Sequence, residues 1–124
     1  ARSITAKRLS NAKYLDTNLS KVKEVTVPIR PKNYKVVYHL YIIFAKNRDA
    51  LYKYCLKKGL EAKIHYPTPI YLQKAYKFLK YKKGDFPVTD KHSKKIISFP
   101  CDQHLNKKKL KIIKSKIKNF YKKK

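Results

Sequence analysis

Residues 36–44 read Val-Val-Tyr-His-Leu-Tyr-Ile-Ile-Phe, an almost unbroken run of β-branched, aliphatic and aromatic side chains with His39 as its single polar interruption. So continuous a run predicts a strand over Val36–Phe44 buried on both faces, because a strand with one wet face would alternate. That in turn demands a sheet with something packed on each side of it. His39 reads as a satisfied imidazole inside the strand, and Tyr38 beside it could reach a sheet edge.

The punctuation after this run is equally specific. Asn47 suits a helix N-cap, and Asp49 puts a negative charge in the first turn, at the positive end of the helix dipole. Leu51, Tyr54 and Cys55 share a face at i, i+3, i+4. Lys57 and Lys58 fall in the last turn, and Gly59 supplies the left-handed residue that ends the helix. Upstream, Ile4, Leu9, Ala12 and Leu15 or Tyr14 predict a helix from Ile4 to Leu19. A polar link over Ser20–Thr26 and an extended segment bracketed by Pro28 and Pro31 follow.

Downstream, Ala62–Tyr66 reads as a short strand closed by the stiff Pro67-Thr68-Pro69 loop. Gln73–Leu79 and Val88–Lys95 read as short helices on either side of the turn Gly84-Asp85-Phe86-Pro87. A third strand, Ile96–Phe99, is stopped by Pro100. The last helix, from about Asn106 to Tyr121, places Leu110, Ile113, Ile117 and Phe120 or Tyr121 on one face. The expected fold is therefore α/β, a small sandwich of one short sheet with amphipathic helices.

Charge sets the partner question. Thirty-three Lys and Arg against seven Asp and Glu give +26 over 124 residues, which raises nucleic acid or an anionic surface first. Only Arg2, Arg8, Arg30 and Arg48 are arginine, the side chain that forks onto phosphate and reads bases, and the lysines are spread over the whole length. A solvated surface accounts for such a pattern, including Lys107–Lys109 and Lys122–Lys124 on or after the last helix. Specific nucleic-acid binding is not expected. No stretch is apolar enough for a transmembrane helix, and no secretory leader is visible, so no membrane partner is expected. The chain holds no Met and begins Ala1-Arg2-Ser3, which suggests a processed chain or the tail of a longer one.

Chemistry-bearing motifs are few. Glycines only at 59 and 84 rule out a Gly-rich phosphate loop. Cys101-x-x-His104 is half a zinc site without the other half, so no metal site is assigned. The same spacing does not establish a Cys-His nucleophile, and Cys55 and Cys101 make no disulfide framework. The remaining constellation is His65-Tyr66-Pro67-Thr68-Pro69, a strand end followed by a rigid loop. Such a place can present side chains to a ligand, or can be a capped strand with its edge histidine bonded to backbone. Lysines with eleven tyrosines leave a free-standing basic module that binds RNA or another polyanion as the alternative.

Taken in order, the pieces resemble the C-terminal part of the DegT/DnrJ/StrS family of sugar aminotransferases. The resemblance runs through Arg8-x-x-Asn11-Ala12-x-Tyr14-Leu15, Val37-Tyr38-His39-Leu40-Tyr41-Ile42-Ile43 and Arg48-Asp49 with Leu51. It continues through Leu56-x-x-Gly59-Leu60-x-x-x-Ile64-His65-Tyr66-Pro67-x-Pro69-Ile70, Gln73, Ala75-Tyr76, Gly84-Asp85-Phe86-Pro87-Val88, Ser98-Phe99-Pro100 and Phe120-Tyr121. It implies the C-terminal domain of a fold type I pyridoxal-phosphate aminotransferase, with 1–20 as the helix linking it to a large domain and 21–124 as the small domain. The reaction implied moves an amino group from an amino-acid donor, commonly glutamate, onto a keto-sugar nucleotide, in a cytoplasmic homodimer.

In that family the cofactor is held mainly by the large domain, on a lysine upstream of this region, so no catalytic residue is assigned in this chain and none of its lysines is taken as the Schiff base. Taken alone, the chain is expected to be inactive. His65, Tyr66 and Tyr71 are implied to face the sugar nucleotide. Tyr71 stands where the family usually has His; it keeps a hydrogen-bonding hydroxyl but not an imidazole's titration near neutral pH.

Overall fold

A computed structural model describes residues 2–122. Lys123 and Lys124, part of the terminal lysine cluster, lie outside the described residues. Helix α1 (Arg2–Leu19) leads into β1 (Val25–Thr26), β2 (Tyr41–Ala45) and α2 (Arg48–Lys57). Two 3-10 segments, Ile70–Leu72 and Lys74–Leu79, precede α3 (Pro87–Ser93), β3 (Ile96–Phe99) and α4 (Lys107–Lys122). The three strands form one antiparallel sheet in the order β1-β2-β3, with Val25 opposite Ala45 and Tyr41 opposite Phe99. The architecture is the small α/β sandwich that the sequence predicts.

The alternation within β2 divides the molecule. Tyr41, Ile43 and Ala45 are fully buried, whereas Ile42 and Phe44 on the other face are half-buried. Helix α1 lies over the buried face: its Asp16 accepts a hydrogen bond from the Tyr41 hydroxyl at 2.9 Å. The two long helices contribute matched apolar stripes, Ala12, Leu15 and Leu19 from α1 and Leu110, Ile113, Ile117, Phe120 and Tyr121 from α4. Leu51 and Cys55 of α2 complete the core. On the opposite face Phe44 meets the short α3 through His92 at a ring-centroid distance of 4.4 Å.

Several expectations need correction. The strand expected over Val36–Phe44 is only Tyr41–Ala45, and residues 36–40 lie outside the sheet, with Val36 and Val37 exposed. Strand length is set by the partner: β3 ends at Phe99, opposite Tyr41, and Pro100 has no N–H to extend the ladder. Tyr38 there takes a left-handed backbone (φ 53). His39 is therefore exposed rather than enclosed in a strand.

Ala62–Tyr66 joins the sheet only through the Lys63–Ser98 bridge, whose backbone bonds are 3.0 and 2.8 Å. The polar link 20–26 contains β1 and two buried valines, Val22 and Val25. Asn47 does not cap α2 with its side chain; it is left-handed (φ 57) and offers its backbone carbonyl to Leu51. Gly59 has the expected positive φ of 73, in the turn that ends α2. The expected helix over Gln73–Leu79 is a 3-10 segment, and Ile4 in α1 is exposed.

Candidate functional site

The bridge at Lys63 aligns the 61–65 segment with the end of β3 and opens a cleft of about 290 Å³. Its walls carry Arg8, His39, Glu61, Lys63, His65, Ser98 and Asp102, with Phe99 and Pro100 among the apolar lining. His65 is held there: its Nδ1 shares a hydrogen bond of 3.0 Å with the Ser98 hydroxyl. That contact leaves Nε2 to meet a ligand, as donor or acceptor according to the tautomer. Arg8 is anchored by donating from Nη1 to the Tyr38 carbonyl at 2.9 Å. Lys63 pairs with Glu61 at 3.4 Å, and Asp102 accepts the His104 amide at 2.8 Å. The cleft thus offers two imidazoles, a guanidinium and a serine hydroxyl beside already partnered carboxylates, a set suited to a polar, hydroxyl-bearing ligand.

The three implied site residues do not share this cleft. His65 lines it. Tyr66, 68% exposed, packs edge-on against His65 at 5.4 Å but lines a neighbouring surface depression with Pro69, Ile70 and His92. Tyr71 lies further along, and its hydroxyl donates to Asp90 at 2.5 Å. The Gly84 amide donates to the other Asp90 oxygen at 3.0 Å, so one carboxylate ties the 3-10 segment, the Gly84 turn and α3 together. Gly84 has φ 98, a conformation that disfavours a side chain. Loss of solvent around the phenol and the bond to Asp90 push the Tyr71 pKa up.

Sequence reasoning singled out neither Arg8 nor Asp90 as a site residue, and it placed His39 in a strand. The positions that gather around the cleft run from 8 to 102, a long-range arrangement with no local signature. Cys101 and His104 do not converge: the Cys101 thiol donates to the Arg8 carbonyl at 3.5 Å, and His104 meets Gln103 at 3.2 Å. Burial pushes the Cys101 thiol up to about 11, against the opposing pull of Arg8. Among the described residues no group of three or more metal-ligating side chains comes together.

Behind the cleft lies a second polar cluster, also assembled from distant positions. Arg30 grips Asp16 with two bonds of 3.1 and 3.2 Å, and Asp16 also accepts the Tyr41 hydroxyl. The guanidinium lies over the Tyr38 ring at 5.1 Å. Burial, with Asp16 nearby, pushes the Tyr41 phenol far up, so it stays a donor at any physiological pH. This cluster pins the 30–41 segment to α1 and so holds His39 at the cleft mouth.

The chain belongs to the DegT/DnrJ/EryC1/StrS aminotransferase family, whose pattern it matches over residues 1–118. It is 32% identical over 102 residues to the erythromycin biosynthesis sensory transduction protein EryC1 of Saccharopolyspora erythraea, covering 82% of this chain and 28% of that protein. It is 26% identical over 96 residues to the dTDP-3-amino-3,4,6-trideoxy-alpha-D-glucose transaminase of Streptomyces venezuelae, covering 77% of this chain and 25% of that one. Among solved structures, S. venezuelae DesV in complex with a ketimine intermediate superposes with a TM-score of 0.92 at 21% identity, over 97% of this chain and 32% of DesV. A family aminotransferase from Brucella abortus superposes with a TM-score of 0.85 at 28% identity, over 95% of this chain and 31% of that protein. The chain therefore spans about a quarter to a third of the length of these relatives.

Proposed function

We propose that this chain forms the small-domain wall of the active site in a pyridoxal-phosphate-dependent sugar aminotransferase. In this reading 1–20 is the helix that joins it to a large domain and 21–124 is the small domain. The reaction takes an amino group from an amino acid, glutamate in the simplest case, to a keto-sugar nucleotide, in a cytoplasmic homodimer. The observation that carries the proposal is a surface one. Between Ala62 and Ile97 no residue is buried, yet the stretch displays Tyr66, Ile70, Phe78 and Val88 at 63–73% exposure. Large apolar side chains held out on a structured loop need a covering body. In this reading that body is a large domain like the one that makes up the rest of the relatives' length.

The residues of this chain do not by themselves fit the cofactor. The single lysine in the cleft, Lys63, is 63% exposed and paired with Glu61, far from the dry pocket a Schiff-base lysine needs. No step of the reaction is assigned to it. The role left to this chain is binding and orientation. His65, steadied by Ser98, and Tyr66 hydrogen-bond the sugar nucleotide; Tyr71, fastened to Asp90, holds the loop that carries them.

The test compares this chain alone with the same chain joined to a large domain of the family. Alone, it should retain no cofactor through gel filtration and show no transamination. Joined, it should turn over keto-sugar nucleotide, and His65→Ala should raise the substrate KM about tenfold or more, the loss of one good hydrogen bond to a charged or polar ligand. Turnover by the chain alone would overturn the proposal.

A further inference from the structure

Away from the His65 cleft, a second groove of about 390 Å³ runs between the turn after α1 and the C-terminal half of α4. Lys21 and Lys23 line it from the turn, and Lys118 and Lys122 from α4, together with Ser115 and Asn119 of the same helix. One carboxylate, Glu24, is present. Among the described residues the ion pairs are Asp16–Arg30, Arg48–Asp49 and Glu61–Lys63, so none of the four lysines is paired, not even with Glu24.

The groove is fixed on both sides. Backbone bonds from Val22 to Leu19 and from Val25 to Val22, both 3.0 Å, shape the turn, and the Tyr121 hydroxyl locks the end of α4 to the Lys46 carbonyl at 2.7 Å. Helix dipoles explain part of this charge. Asn11 bonds the Asp102 carbonyl just ahead of α4, and Tyr14 lies under Lys114, so α1 and α4 run parallel and end together. Each C-terminus carries roughly half a negative charge and favours a cation nearby. Two such ends and Glu24 still leave roughly two positive charges concentrated in one groove. Ammonium groups so gathered repel one another until an anion joins them.

We propose that this groove is a binding site for a compact, multiply charged phosphate anion. Four ammonium groups, a serine hydroxyl and a side-chain amide suit several phosphate oxygens held a few ångströms apart. The ligand chemistry is the clustered phosphate itself, whether free in solution or presented on a lipid headgroup.

The experiment titrates inorganic tripolyphosphate into the chain by calorimetry at about 0.15 M salt, where long-range attraction to the whole +26 protein is damped. Phosphatidylcholine vesicles with and without phosphatidylinositol bisphosphate form the second arm. Lys21→Gln with Lys122→Gln removes two groove charges; Lys53→Gln with Lys83→Gln removes two exposed charges elsewhere. All four positions are solvent-exposed or at a helix end, and circular dichroism checks that both variants stay folded.

The expected result is one saturable site whose affinity falls about tenfold or more in the groove variant and less than about twofold in the control. Groove-dependent binding of tripolyphosphate assigns a free anion; groove-dependent binding of the bisphosphate vesicles alone assigns a lipid headgroup. Equal losses in the two variants, non-saturating uptake, or no groove-dependent binding in either arm would overturn the proposal.

Discussion

Two parts of this chain use similar residues to opposite ends. In the packed part, α1, β2, α2 and α4 bury Leu15, Tyr41, Ile43, Leu51 and Ile117 completely. In the stretch from Lys63 to Ile96, side chains of the same kinds stay at the surface, held by turns, 3-10 geometry and the Asp90 clip. Hydrophobicity alone does not separate the two. What separates them is whether a second layer covers them within the chain. The Tyr41–Ile43 face has α1 over it. The loop touches the sheet at Phe44–His92 and packs Tyr71 and Tyr81 on Phe86, with no layer outside it that buries a residue between 63 and 96.

The sharpest way to break the comparison is to shorten one large side chain in each part. Ile117→Ala, in the fully buried stripe of α4, should cost about 2–5 kcal/mol in urea unfolding. Phe78→Ser, in the exposed loop, should shift stability by no more than about 0.5 kcal/mol and make the chain more soluble. Similar losses at both positions would mean that the loop packs against the core after all.

The packed part should also fail first in alkali. Burial pushes the Cys55 and Cys101 thiols up from 9.0 to about 11 and raises the phenols of Tyr41 and Tyr121. Groups raised on folding give stability that is complete below their unfolded pKa. The free energy of unfolding should therefore hold to about pH 9, then fall toward pH 11 by up to about 1.4 kcal/mol per pH unit for each thiol. Cysteine alkylation at pH 8 should be slow in the native protein and fast once it is unfolded. Rapid native labelling would contradict the burial.

Two carboxylates sharpen the contrast at smaller scale. Asp16→Ala strands Arg30 and the buried Tyr41 hydroxyl, for an expected loss of about 1–3 kcal/mol by thermal or urea unfolding. Asp90→Ala should cost less than about 1 kcal/mol globally, because its partners Tyr71 and Gly84 reach water. Its signature is local: the Gly84 amide should exchange faster while the amides of β2 are unchanged.

How far the sequence discloses the molecule follows the range of the interactions involved. The α4 stripe, the Gly59 stop and the Ile96–Phe99 strand are legible because spacing and punctuation are local. The extent of the strand in Val36–Phe44 is not, since its length depends on β3, more than fifty residues away, and on Pro100 beside it. The same reason hides the Asp16–Arg30–Tyr41 cluster and the gathering of Arg8, His39 and His65. His65 was accessible to reasoning through the strand-end loop it opens and the family resemblance around it. Its partner Ser98 shows in the sequence as part of a short strand and of the Ser98-Phe99-Pro100 motif, with nothing that pairs it to His65.

The most direct test of the account is hydrogen–deuterium exchange across residues 63–96, in this chain alone and in the chain joined to a large domain of its family. If this stretch is a wall that another body covers, its amides should slow about tenfold or more on joining, with His65 and Tyr66 among them, while β2 and α4 stay as they were. Exchange in 63–96 that is already slow in the chain alone, or that does not change on joining, would contradict it.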